Sequence, residues 1–347
     1  MADVKPFRAL RYDERRAGRL ESLVAPPYDV ISAEERERYL TRSPYNVVHL
    51  TLPDDEAGAA ALLARWQDEG VLVRDEEPSF WWLAQEYTGP DGVPRRRDGL
   101  VAALRVEPYE TGAVLPHERT HAGPKEGRLR LLRAVRTHVE PIFLLYDGSM
   151  KQPFGEPAMD VELDGVRSRL WRYSRPVPDF GPASLLIADG HHRYETALAF
   201  HEEDGTEAGA WLLAVLVPTA QKGLTIFPTH RVATRTKPLP PLDPHSNGDD
   251  RALAEVYTRG GSGYLHGEPG ELDTELVARY APDVRYTPSA EEARAAVDSG
   301  EAEAAFLLRP PTVEQVAAVA EAGKTMPQKS TFFYPKLTSG LLFLPLD

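Results

Sequence analysis

The sequence contains no cysteine. Disulfides, thiolate zinc sites and cysteine nucleophiles are therefore excluded. It has no apolar stretch long enough to cross a bilayer. Its opening residues, "MADVKPFRALRYDERRAG", lack the apolar core of a signal peptide. A cytoplasmic protein with no membrane partner is the expectation. Positive charge is also in short supply. Lys and Arg number 40 against 53 Asp and Glu, a formal net charge of −13, whereas a non-specific nucleic-acid binder needs an electropositive face. A nucleic-acid partner is not expected. Familiar nucleotide and nucleophile patterns are missing too. No GxGxxG lies between a strand and a helix, and no GxSxG elbow occurs. "AGKT" at 322–325 has Ala318 where a P-loop needs its first glycine, and it follows a helical pattern, not a strand.

What is present is an ordinary globular composition. With 42% hydrophobic and 27% charged residues over 347 positions, the chain can bury one large core or two ordinary ones. Ser32 and Glu35 have capping-box spacing at a helix start. Residues 54–69 have helical spacing and end at Gly70. "SFWWLAQEY" and "GLVAALRVEPY" read as strands joined by the turn-rich "TGPDGVPRRRD". A loop-like "LPHERTHAGPKEG" precedes a helix, "RLRLLRAVRTH", and a strand, "PIFLLYD". "WLLAVLVP" and "LTIFPTHRV" read as two more strands. The sharpest compositional break is "TRTKPLPPLDPHSNGDD" at 234–250, a linker or long surface loop. Helix, strand and helix follow it. The tail from Met326 is too aromatic and apolar to be disordered, and it is expected to pack on the body. The expected fold is α/β, an α+β mixed sheet, in two regions, 1–235 and 236–347.

The densest chemistry lies at 184–200, "SLLIADGHHRYETALAF". A strand runs into Asp189-Gly190, two histidines and Arg193, and a helix follows at once with Tyr194, Ala197 and Leu198 on one face. Gly190 permits a tight turn or a close ligand approach. The helix start supplies N–H groups and a positive dipole end, and Arg193 is a forked donor suited to phosphate. Asp189 could hold Mg²⁺ or accept a proton. The plain alternative is a capped helix with Asp189 as the cap. "HERTH" at 117–121 is literally HExxH, but Pro116, Gly123 and Pro124 flank it, and Arg119 and Thr120 are polar where a buried zinc helix wants apolar residues. It reads as a loop or helix start, with His117 and Glu118 as pocket candidates. "APPYDV" (Tyr28, Asp29), "FPTHRV" (His230, Arg231) and "MPQKSTFFYPK" (Lys329, Lys336) each place polar groups in unusual company.

Taken in order, "PFRALRYD…VAPPYDVI", "LPHERTHAGPKEGRLRLL", "IADGHHRYETAL", "FPTHRV" and "MPQKSTFFYPKLTSGL" resemble the prokaryotic family called domain of unknown function 1015, from Pro6 to about Gly340. "IADGHHRYETAL" is also similar to the ParB/sulfiredoxin-like fold, in which such a turn binds nucleotide phosphates. Free serine kinases of that superfamily carry a very similar "DGHHR" and an upstream "PHE". The resemblance implies a nucleotide-binding core and a kinase using ATP or ADP with Mg²⁺ on a small hydroxyl substrate such as free L-serine. It implies Glu118 as catalytic base, Asp189 in metal or base work, and His191, His192 and Arg193 with Gly190 as the phosphate-binding turn, His192 also serving catalysis. Two rivals stand beside it: a nucleotide-binding ParB-like regulator, and a metal-dependent hydrolase on His117, His121, His191 and His192. No oligomeric state is implied.

Overall fold

The computed structural model describes residues 2–118, 122–180, 184–246, 251–269 and 271–347, with the main chain alone at 122–124. Among these, 2–116, 122–224 and 335–347 form one compact unit, and 117–118 with 225–334 form a second. The mixed α/β class is as expected.

The first unit is built on a nine-stranded mixed sheet. Its strands are β1 (Val4–Lys5), β2 (Phe80–Thr88), β3 (Pro94–Arg105), β4 (Val114–Leu115), β5 (Ile142–Tyr146), β6 (Met159–Leu163), β7 (Val166–Tyr173), β8 (Leu185–Asp189) and β9 (Trp211–Pro218). Their order is β4-β8-β5-β9-β3-β2-β7-β6, with β1 on β3. β8 is parallel to β4, and β5 is parallel to β9; the other pairs are antiparallel. Every residue of β5 is buried, as its unbroken apolar run requires. The edge strand β6 instead alternates buried and exposed residues. Asp164 and Gly165, both at positive φ, make the tight turn into β7. The helices of this unit longer than one turn are α1 (Ala33–Arg42), α2 (Glu56–Asp68), α3 (Ala122–Val135) and α4 (His191–Asp204). Ser32 and Glu35 make both bonds of their capping box, and Asp55 caps α2. Tyr194 and Ala197 of α4 enter the core beside Ile142, Leu144 and Leu212.

Three readings of the sequence change here. β3 begins at Pro94, so Arg95 and Arg97 are strand residues and only the stretch before them is a turn. α3 starts at Ala122, because a proline in the first helical turn forfeits no intrahelical bond. It stops at Val135, where Arg136 takes a φ of 45° and the chain turns into a short strand at Thr137–His138. "LTIFPTHRV" is two strands, Thr225–Phe227 and His230–Ala233, parted at Pro228, which has no N–H for a ladder.

In the second unit, Thr225–Phe227 pairs with Phe332–Tyr334. The larger sheet has β10 (His230–Ala233), β11 (Arg251–Thr258), β12 (Gly261–Pro269), β13 (Arg285–Thr287) and β14 (Ala304–Leu308), ordered β12-β11-β14-β10-β13, each pair antiparallel. α5 (Asp273–Tyr280) packs Leu276 against Val256 and Phe306. α6 (Ala290–Ser299) packs Val297 against Val232 and Leu307 on the opposite face. A third helix, α7 (Val313–Glu321), is capped by Thr312. The described part of the proline-rich stretch, 234–246, is irregular and leads toward β11 inside this unit. Among the described residues no helix is long and apolar enough to cross a membrane.

Candidate functional site

β8 delivers Asp189 through a bulge. Ile187 pairs with Leu144, yet Asp189 pairs with Phe143, so Ala188 is the extra residue. A bulge at a strand end re-aims the side chain that follows it. Gly190 then turns the chain at φ 96°. A Cβ there would lie 2.8 Å from Ile142 Cγ2, so both conformation and space demand glycine. α4 starts at His191, and its N-cap residue is Gly190, which has no side chain to cap it. The capped-helix alternative is thus not what forms: Asp189 bonds elsewhere.

Its Oδ2 accepts from Arg193 Nη2 at 2.7 Å, and its Oδ1 accepts from Lys336 Nζ. Burial alone would push this carboxyl up. The Lys336 and Arg193 charges more than reverse that and hold it well below the usual carboxylate range. Arg193 is 8% exposed, and its Nη1 donates to the Pro141 carbonyl. Burial opposes its charge, but Asp189 and then Glu140 drive its pKa above the ordinary arginine value. With these two bonds Arg193 braces Asp189 against the Pro141 carbonyl. Lys336 is the cation brought to the turn from far away in sequence. The tail places it: Arg97 Nη2 donates to the Pro335 carbonyl at 2.7 Å, and Gln85 Nε2 to the Lys336 carbonyl at 3.2 Å.

Two charged residues escaped the sequence reading. Arg97, 2% exposed, lies over the Phe143 ring at 4.4 Å and feels the Asp189 charge, and burial pulls it down to about 10. Its signal was the basic run at 95–97, masked by neighbouring turn residues. Glu140 is 3% exposed and accepts from Tyr28 N at 2.9 Å, Arg128 Nη2 at 3.0 Å and Ser339 Oγ at 3.0 Å. It ties "APPYDV", α3 and the tail together beside Arg193. His191 is buried, and His192 is half-buried in the same first turn.

Mg²⁺ on Asp189 does not fit this arrangement, because each carboxylate oxygen already faces a cation. Among the described residues no three His, Asp or Glu side chains gather as a metal site. His117 and Glu118 precede α3 and are not helical, so the HExxH spacing does not act as a zinc helix; His121 lies outside the described residues. His117 is fully buried, with Nε2 2.9 Å from Thr331 Oγ1. Glu118 belongs to the second unit. It bridges to Met326, and its Oε1 accepts from Lys329 N at 3.4 Å. Asp189, Gly190, His191, His192 and Arg193 are together in the first unit.

A family model described as a protein of unknown function (DUF1015) matches residues 4–246. The chain belongs to the DUF1015 family. No curated protein matches the sequence. Among solved structures, a free serine kinase in complex with AMP is similar at 14% identity and a TM-score of 0.40, covering 66% of this chain and 89% of that one. A conserved hypothetical protein from Pyrococcus furiosus is similar at 14% identity and a TM-score of 0.38, covering 66% of this chain and 92% of that one. SbnI with a C-terminal truncation, from Staphylococcus aureus, is similar at 13% identity and a TM-score of 0.43, covering 70% and 87%.

Proposed function

We propose that the turn after β8 binds the phosphates of ATP or ADP and that the protein transfers a phosphoryl group to a small hydroxyl compound, free L-serine being the candidate named by the motif resemblance. One observation carries the reading. Around the start of α4, Arg97, Arg128, Arg193 and Lys336 lie near two carboxylates, half-buried Asp189 and buried Glu140. Asp29, exposed, adds a third negative charge at longer range. A helix start with basic side chains gathered beside it suits a phosphate chain. The strand–turn–helix of β8 and α4 also supports a ParB/sulfiredoxin-like class for this core.

In the proposed reaction the acceptor oxygen attacks the terminal phosphorus while the bridging P–O bond breaks. The shortened nucleotide leaves with the bridging oxygen, and the hydroxyl proton passes to a base. Glu118 is that base by the resemblance to the "PHE" motif. Lys336, held by Asp189, neutralises charge on the transferred group, and the first turn of α4 with His191 and His192 offers it hydrogen bonds. Asp189 positions cations instead of binding metal. Mg²⁺ would accompany the nucleotide as its counter-ion.

Calorimetry with ATP and ADP tests the site. Lys336→Met is expected to weaken binding by about 1.5–3 kcal/mol, the scale of a charge-assisted hydrogen bond. Glu118→Gln is expected to leave that affinity in place and to cut phosphorylation of serine or another small alcohol by about 10²–10⁴-fold. A folded protein that binds neither nucleotide ends the whole reading. Binding without transfer to any alcohol ends the kinase half and leaves a nucleotide-binding regulator.

A further inference from the structure

The second unit holds Glu118 with an unusual loop. Met326 N donates to the His117 carbonyl at 2.7 Å, which lays the His117–Glu118 segment along the start of "MPQKS". Three residues on, Lys329 adopts φ 56°, a left-handed conformation that a side chain disfavours. That conformation presents the Lys329 N–H to Glu118 Oε1. The other side of the same peptide segment is gripped by Arg231. Its Nη2 donates to the Lys329 carbonyl at 3.1 Å and the Gln328 carbonyl at 3.4 Å, and its Nη1 donates to the Thr229 carbonyl. Arg231 is 4% exposed, and all three described bonds go to main-chain oxygens. Ser330 pins the next residue through Thr274 Oγ1 at 3.2 Å and the Pro327 carbonyl.

A buried guanidinium that spends its donors on carbonyls is an expensive way to hold a loop, since burial disfavours its charge. Burial pulls Arg231 down to about 10, and the fields of Tyr286 and Glu118 act against that pull. What this expense secures is one peptide orientation, the one that directs an N–H at Glu118. We propose that Arg231 is the positioning residue for Glu118, fixing Lys329 in its left-handed conformation so that the carboxylate is held in one place and kept among positive and N–H groups. The role rests on Glu118 being the base of the proposed transfer.

Arg231→Lys keeps the charge and loses the fork, so it separates geometry from field. Turnover with serine and ATP is expected to fall about tenfold to hundredfold, the scale of a misplaced catalytic group, with nucleotide affinity unchanged. Because Arg231 acts through Glu118, the same substitution in a Glu118→Gln background is expected to cost nothing further. Additive losses in that cycle would overturn the proposal. A second readout needs no activity. Amide exchange at Lys329 is expected to rise at least tenfold in Arg231→Lys while exchange in β11 and β14 stays put. Unchanged exchange at Lys329 in a folded variant would also overturn it. If the wild type phosphorylates no alcohol, the base assignment fails on its own, and amide exchange still decides whether Arg231 holds the loop.

Discussion

Arg193 and Arg231 are both buried guanidiniums, 8% and 4% exposed, one in each unit. Arg193 meets a carboxylate at 2.7 Å, and its pKa is driven up. The described hydrogen bonds of Arg231 all go to carbonyls, its guanidinium lies 5.2 Å from the Tyr286 ring centre, and burial pulls its pKa down to about 10. Each follows a histidine, Arg193 in the first turn of α4 and Arg231 in β10. The partners separate them. Arg193 is one member of a cluster of charges around Asp189 and Glu140, whereas Arg231 bonds to main-chain oxygens. Buried charge in this chain thus has two settings.

The largest expected effect breaks that pair of struts in turn. Arg193→Met leaves Asp189 Oδ2 buried without its partner and is expected to destabilise by about 3–5 kcal/mol. Arg231→Met removes a charge that burial already disfavours and leaves carbonyls short of donors, so about 1–2 kcal/mol is expected. All five tryptophans, Trp66, Trp81, Trp82, Trp171 and Trp211, lie in the first unit. Fluorescence in urea therefore follows the Arg193 unit, and far-UV circular dichroism follows both. Equal losses for the two variants would show that the carboxylate pairing adds nothing, and the contrast would collapse.

Acid sharpens the comparison at the next scale. Burial lowers His138 from 6.5 to about 4, with a main-chain bond at Trp211 opposing. Burial, then Arg231 and Arg294, lowers His230 too, and its Nδ1 accepts from Leu308 N at 3.1 Å, a bond that protonation there would break. The unfolded chain takes up these protons near pH 6.5 and the folded one resists, so this stability is full above that pH and declines as pH falls toward 4. For His138 the loss is about 3 kcal/mol. His138→Asn is expected to flatten the fluorescence-detected stability between pH 6.5 and 4. A profile as steep as the wild type would mean that other groups carry the acid response.

Much of the scaffold was legible because local signals agreed with the fold. Ser32 with Glu35, the run "WLLAVLVP" and the apolar tail each specify one structure without help from distant residues. The turn at Asp189-Gly190 was legible for the same reason. What was hidden depends on long-range partners. Nothing local says that Lys336 bonds Asp189, that Glu140 joins three segments, or that Arg97 lies in a strand. The β6–β7 hairpin and the β11–β12 hairpin went unread although "LDGV" and "TRGGSG" are turn signals between alternating stretches. Their strands are short of continuous apolar residues, which made them look like loops.

The smallest effects concern two residues at positive φ, one in each region. Gly190→Ala puts a Cβ 2.8 Å from Ile142 Cγ2 and forces φ 96° on a residue that resists it. A loss of about 1–3 kcal/mol is expected, with weaker nucleotide binding because the start of α4 must shift. Lys329→Gly is the mirror case. Lys329 is exposed and already strained at φ 56°. Glycine relieves roughly 1–2 kcal/mol of left-handed strain, and the greater freedom of the unfolded chain takes back about 0.4–1 kcal/mol. The net is a gain between about zero and 1.6 kcal/mol, read as a small rise in the urea midpoint followed by circular dichroism. The N–H to Glu118 belongs to the main chain and survives the change, so turnover should hold if Arg231 alone fixes the loop. A clear drop in stability would show that the Lys329 side chain, not the clamp from Arg231, keeps this peptide in place.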